Sequence, residues 1–119
     1  MITGCGIDIV EVKRIKNAVN KWGKEFLKRI FTERELECAK NRNFNFEHLA
    51  GRFAVKEAVV KALNDGKTTF RDIEVLNKKD GMPYCIIKTI SYKKDSDILI
   101  SISHIKTHAI ANAIIQTKS

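Results

Sequence analysis

The sequence predicts an α+β fold, in which antiparallel strands pack around one central buried helix. Three observations predict it. The opening stretch, Ile2–Val12, is rich in Ile and Val. The segment Glu47–Leu63 has helix-forming composition and apolar residues on more than one side, as a buried helix does. From Asp72 onward the chain reads as short strands separated by turns. Strand, helices and then a run of strands is the order of an α+β domain. At 119 residues with 44% hydrophobic side chains, residues 1–119 are expected to form one domain with a core of its own.

Ile2–Val12 is predicted as the first strand, with Gly4 and Gly6 allowing another backbone to come close. Val12–Leu27 reads as helix, because Val12, Ile15, Val19, Trp22 and Phe26 recur at helical spacing. Gly23 interrupts that pattern and allows two shorter helices instead. Thr32-Glu33-Arg34-Glu35 is the pattern of a capping box, so a helix is expected to run from there to about Lys40. Asn41–Asn45 is a polar break before the central helix, and Asn64-Asp65-Gly66 ends that helix. Strands are predicted at Asp72–Asn77, Tyr84–Tyr92, Ile98–His104 and His108–Gln116. Lys79-Asp80-Gly81 marks a turn, and a short turn at Ile105–Thr107 makes the last two strands a hairpin.

Composition bounds the function. The net charge of +8 suggests an acidic partner, whether nucleic acid, a membrane surface, an anionic cofactor or an acidic protein, and charge alone does not choose among these. No window approaches the roughly 18 apolar residues of a membrane span, so no membrane role is expected. Met1–Asp8 lacks the basic start of a secretory signal. Cys5, Cys38 and Cys85 are odd in number, far apart and form no CxxC pair. They read as reduced thiols of a cytoplasmic protein.

Several residues stand out. Asp8 sits in the β-branched run Ile7-Asp8-Ile9-Val10, where Asp is disfavoured. It is either an edge carboxylate facing water or one held by a partner. Glu57 lies four residues after Phe53 and four before Lys61, on one face of the central helix. It is either half of a Glu–Lys pair or a carboxylate that a cation must balance. Two carboxylates on separate elements suit a magnesium ion, with phosphate and water as the remaining ligands. Asp8, Glu57 and Lys61 together would therefore suit phosphoryl transfer from a diphosphate. His104 ends a predicted strand and reads equally as an exposed turn residue or a phosphate contact, whereas His48 and His108 are assigned to structure or surface. Between Val12 and Arg29 stand Lys13, Arg14, Lys16, Lys21, Lys24, Lys28 and Arg29, against the single acid Glu25. Such an imbalance favours a docking surface for an acidic partner over a merely solvated face.

Three blocks resemble a known family. They are Gly6-Ile7-Asp8-Ile9-Val10-Glu11-Val12-Lys13-Arg14-Ile15, then Gly51-Arg52-Phe53-Ala54-Val55-Lys56-Glu57-Ala58-Val59-Val60-Lys61-Ala62-Leu63, then Ser101-Ile102-Ser103-His104 with the strand after it. Phe31–Leu36 and Asp80–Tyr84 fit as well. The chain resembles the holo-[acyl-carrier-protein] synthases, the small single-domain 4′-phosphopantetheinyl transferases, over nearly its whole length. The resemblance implies transfer of 4′-phosphopantetheine from coenzyme A to a serine of an acidic acyl carrier protein, in support of fatty acid biosynthesis. It implies a homotrimer with sites between subunits. Asp8 and Glu57 would bind magnesium, for which manganese could substitute, and Lys61 would contact the coenzyme diphosphate. Arg52, Pro83 and His104 match coenzyme-binding positions, and Arg14, Lys21, Phe26 and Arg29 match the carrier-docking region.

The chain departs from the family after Leu63, where a frequent Gly-Thr-Gly segment is replaced by the shorter Asn64–Phe70. That puts the coenzyme contacts of this loop in doubt. Two other classes fit the charge. A basic nucleic-acid-binding domain would do so, but no zinc spacing, RNP-like strand or clear helix-turn-helix is present, and no nucleic acid is expected. A non-catalytic trimeric adaptor would not need Asp8, Glu57 and Lys61 intact.

Overall fold

The structure, a computed structural model, describes residues 1–89 and 92–118. Strand β1, Ile2–Glu11, leads directly into helix α1, Val12–Trp22. The change of direction at Glu11 is held by the Val12 N–H, which donates to the Thr107 carbonyl at 2.9 Å. Helix α1 stops at Gly23, whose φ of 56° is readily open only to glycine. Helix α2, Lys24–Ile30, follows, so the predicted Val12–Leu27 segment is two helices joined by that glycine.

Helix α3, Glu33–Asn41, begins with the capping box predicted at Thr32 and Glu35. Helix α4, Phe46–Leu63, is capped by the Asn45 side chain, which accepts the His48 N–H at 3.1 Å. It ends at Asn64 in the left-handed conformation. Leu49–Lys56, Ala58, Val59 and Ala62 are all buried, so the helix is enclosed on nearly every side as its composition predicted.

The strands form two sheets rather than one. Strand β2, Ile73–Asn77, pairs only with β3, Pro83–Ile87, among the described residues. The predicted Tyr84–Tyr92 strand thus ends at Ile87; residues 90 and 91 of it lie outside the described residues. Strands β4, Ser96–His104, and β5, His108–Thr117, form the predicted hairpin. Strand β5 also pairs with β1, giving the antiparallel order β1-β5-β4, in which Asp8 lies opposite Ala111.

Helix α4 lies directly on this three-stranded sheet. A Cβ on Gly4 would stand 2.3 Å from the Ala62 carbonyl oxygen, and one on Gly6 would stand 2.0 Å from that of Ala58. Val10, Ala109, Ala111, Ala113 and Ile115 complete the inner layer. The opposite sheet face is apolar and open: Ile7 is 60% exposed, Ile9 62%, Leu99 54% and Ile110 39%. On the same face the Ser101 hydroxyl donates to Asn112 Oδ1 at 2.6 Å. No helix is long and apolar enough to cross a membrane among the described residues.

Candidate active site

Asp8 points from β1 toward α4, on the side that Gly4 and Gly6 bring close. Its side chain is 17% exposed. Lys61 Nζ donates to Asp8 Oδ1 at 3.0 Å and to the Ile7 carbonyl at 2.9 Å. Asp8 is therefore held by a partner and is not a free edge carboxylate. Lys61 has bypassed Glu57, one turn before it on the same helix. The local Glu57–Lys61 pair is not formed; the lysine reaches across to β1 instead.

Glu57 is partly buried, and its carboxyl pKa is pushed up. Burial is the main cause and the nearby Asp8 charge adds to it; Arg14 and, less, Lys61 oppose it. The Asp8 charge thus adds to the cost of ionising Glu57, and a cation between the two carboxylates would relieve it. A pair of facing carboxylates is a donor set that would suit magnesium. Magnesium takes one or two carboxylates and leaves its other positions to phosphate and water. Arg14 stands at the edge of this cluster, its guanidinium 5.5 Å from the Phe53 ring centre. Phe53 is one turn before Glu57, so Arg14 borders the carboxylates as well as the basic face of α1.

The remaining predicted coenzyme contacts gather elsewhere. Arg52 is buried and its guanidinium bonds the Asn77 side-chain oxygen. His104 Nδ1 lies 3.0 Å from Glu47 Oε1. Arg52, Asn77, His104, His48 and Arg42 line one cleft of about 430 Å³. Pro83 pairs with Asn77 across β2 and β3 and so lies beside it. His48, assigned from sequence to structure or surface, lines the same cleft. Its pKa is pulled down to about 4, by burial first and then by Arg52, Arg42 and His104, so it is neutral at pH 7. Asn77 and His48 were not singled out as site residues in the sequence. Neither carries a local signal, because the cleft is assembled from α4, β2 and β4.

Arg52 and Glu57 are five residues apart on α4, or about 140° around its axis. The two clusters therefore face different sides of one helix. Of the docking residues, Phe26 and Arg29 line a cleft of about 360 Å³ with Trp22 and Glu25. Lys21 lies beside it, its ammonium 5.0 Å from the Trp22 ring centre. A further cleft, about 790 Å³, runs between the start of α1 and the 43–47 segment and is lined by none of the predicted site residues.

The family model of the 4′-phosphopantetheinyl transferase superfamily matches residues 4–113. A holo-[acyl-carrier-protein] synthase of Clostridium tetani is 48% identical, over 98% of this chain and 97% of its own length. One from Thermodesulfovibrio yellowstonii is 47% identical over 97% and 99%. Among solved structures, a Bacillus anthracis holo-(acyl-carrier-protein) synthase in complex with CoA (3′,5′-ADP) superposes with a TM-score of 0.83 at 38% identity, covering 100% of this chain and 99% of that one. The Helicobacter pylori holo-[acyl-carrier-protein] synthase in complex with coenzyme A gives 0.84 at 30% identity, covering 94% and 99%. With this agreement along almost its full length, the chain belongs to the holo-[acyl-carrier-protein] synthase family of the 4′-phosphopantetheinyl transferase superfamily.

Proposed function

We propose that this chain transfers the 4′-phosphopantetheine arm of coenzyme A to a serine of an apo acyl carrier protein, releasing adenosine 3′,5′-bisphosphate. The observation that carries the reading is the convergence of Asp8, Glu57 and Lys61 between β1 and α4 in a member of this family. In the reaction the serine oxygen bonds to the pantetheine-side phosphorus and gives up its proton. The bond from that phosphorus to the bridging oxygen breaks, and the bisphosphate leaves with the electron pair.

Asp8 and Glu57 would hold magnesium, with manganese as a substitute; when bound, the ion supplies positive charge to the diphosphate oxygens. Lys61 lies one turn from Glu57 and can donate to a phosphate oxygen as charge builds on the leaving group. Arg52, His104 and Pro83 would meet the coenzyme from the second cleft, where two arginines and a neutral His48 suit a phosphate. Because the two clusters face different sides of α4, a site using both is completed by a second copy of the chain. This supports a homotrimer with sites between subunits, and the open apolar sheet face offers the surface for it. Arg14, Lys21, Phe26 and Arg29 would receive the acidic carrier. The free cysteines fit a cytoplasmic enzyme serving fatty acid biosynthesis.

The test is mass spectrometry of an apo carrier protein after incubation with enzyme, coenzyme A and magnesium. The carrier should gain one phosphopantetheine, its serine→alanine variant none, and chelator should stop the gain. A folded enzyme that modifies no acyl carrier protein overturns the reading.

A further inference from the structure

We propose that Lys61 stands in for the cation in the coenzyme-free enzyme, so that metal and coenzyme A bind cooperatively through the movement of this one side chain. The proposal rests on the metal reading above and adds to it a competition within the site. The Lys61 ammonium is already bonded to Asp8 Oδ1 at 3.0 Å and anchored by the Ile7 carbonyl at 2.9 Å. It therefore neutralises the carboxylate that a metal would need. A divalent ion at Asp8 and an ammonium in contact with the same carboxylate repel each other. Lysine and ion compete for the charge of one carboxylate, so the ion binds more tightly once the lysine moves away.

Its exposure allows that. The Lys61 side chain is 53% exposed, against 17% for Asp8, so it reaches the carboxylate from the solvent side and can swing away without opening the core. Once displaced it needs another anion. The coenzyme diphosphate would bring one to the same place. Coenzyme thus takes up the displaced charge, and each ligand favours the other by the same factor.

Manganese binding, read by electron paramagnetic resonance or calorimetry without carrier protein, tests this in wild type, Lys61→Met and Lys61→Arg, with and without coenzyme A. Without coenzyme, Lys61→Met should bind manganese about tenfold or more tightly than wild type, a coupling of ordinary size. Lys61→Arg, which keeps the charge, should stay close to wild type. Coenzyme A should tighten manganese binding more in wild type than in Lys61→Met. Thermal melts verify that the variants are folded. If Asp8→Asn abolishes manganese binding but Lys61→Met leaves it unchanged or weaker, the stand-in role is wrong and the metal site stands. If no manganese binding depends on Asp8 even with coenzyme A present, the metal site itself falls, and this proposal with it.

Discussion

Three donors meet on the Glu35 carboxylate: the Thr32 N–H at 2.8 Å, the Val75 N–H at 2.8 Å and the Lys56 ammonium at 2.7 Å. Lys56 has no exposed side-chain surface, and its ammonium also donates to the Phe70 and Ile73 carbonyls. Burial pulls its pKa down while Glu35 opposes the shift. Glu35 is thus both the closing residue of a capping box and the counter-ion of a buried lysine. Only the first role was legible in the sequence, since Thr32-x-x-Glu35 is local and the Lys56 contact spans 21 positions. Glu35→Gln leaves the ammonium buried beside a neutral amide and should cost about 3–5 kcal/mol, read as a lower urea midpoint. Adding Lys56→Met to that variant should recover part of the loss. The same limit explains Lys61: spacing offers Glu57 as its partner, and only the fold shows Asp8 closer to hand.

At the scale of elements, β1 and α4 touch backbone to backbone, and the contact is stepped. Gly4 faces Ala62 and Gly6 faces Ala58, so two strand residues match four helix residues. Two residues of strand rise about 6.6 Å and four of helix about 6 Å, which is why the steps keep pace. Asp8 follows on the next step of β1, and the glycines thereby fix how it meets Glu57 and Lys61. The opening strand, the central helix and the terminal hairpin were readable because their periodicity and composition agree. Strands β2 and β3 and the turn between them were readable as well; that they form a sheet of their own was not, because nothing local says which strands share a sheet. Gly6→Ala puts a methyl 2.0 Å from the Ala58 oxygen and must lift the helix. It should cost about 1–3 kcal/mol in chemical denaturation, and turnover should fall further than the remaining folded fraction explains.

For the whole molecule, the open sheet face and the two clusters on different sides of α4 are the features on which the proposed assembly rests. Leu99→Lys with Ile110→Glu places charge on that face without touching either cluster. Sedimentation should then show a single-chain mass, and turnover should fall at least about tenfold when half of each site is lost. A single-chain mass with full turnover would show that one copy holds a complete site. The sheet order also sets a sequence of events. Asp8 belongs to β1, yet its ladder neighbour is Ala111, made about a hundred residues later, so the pairing is among the least local that the chain can form. During synthesis, helix α4 can present Glu57 and Lys61 while the strand bearing Asp8 still has no edge to join. The two carboxylates proposed to hold the metal come into register only when β5 emerges from the ribosome, and a nascent chain holds half of that proposed site until then.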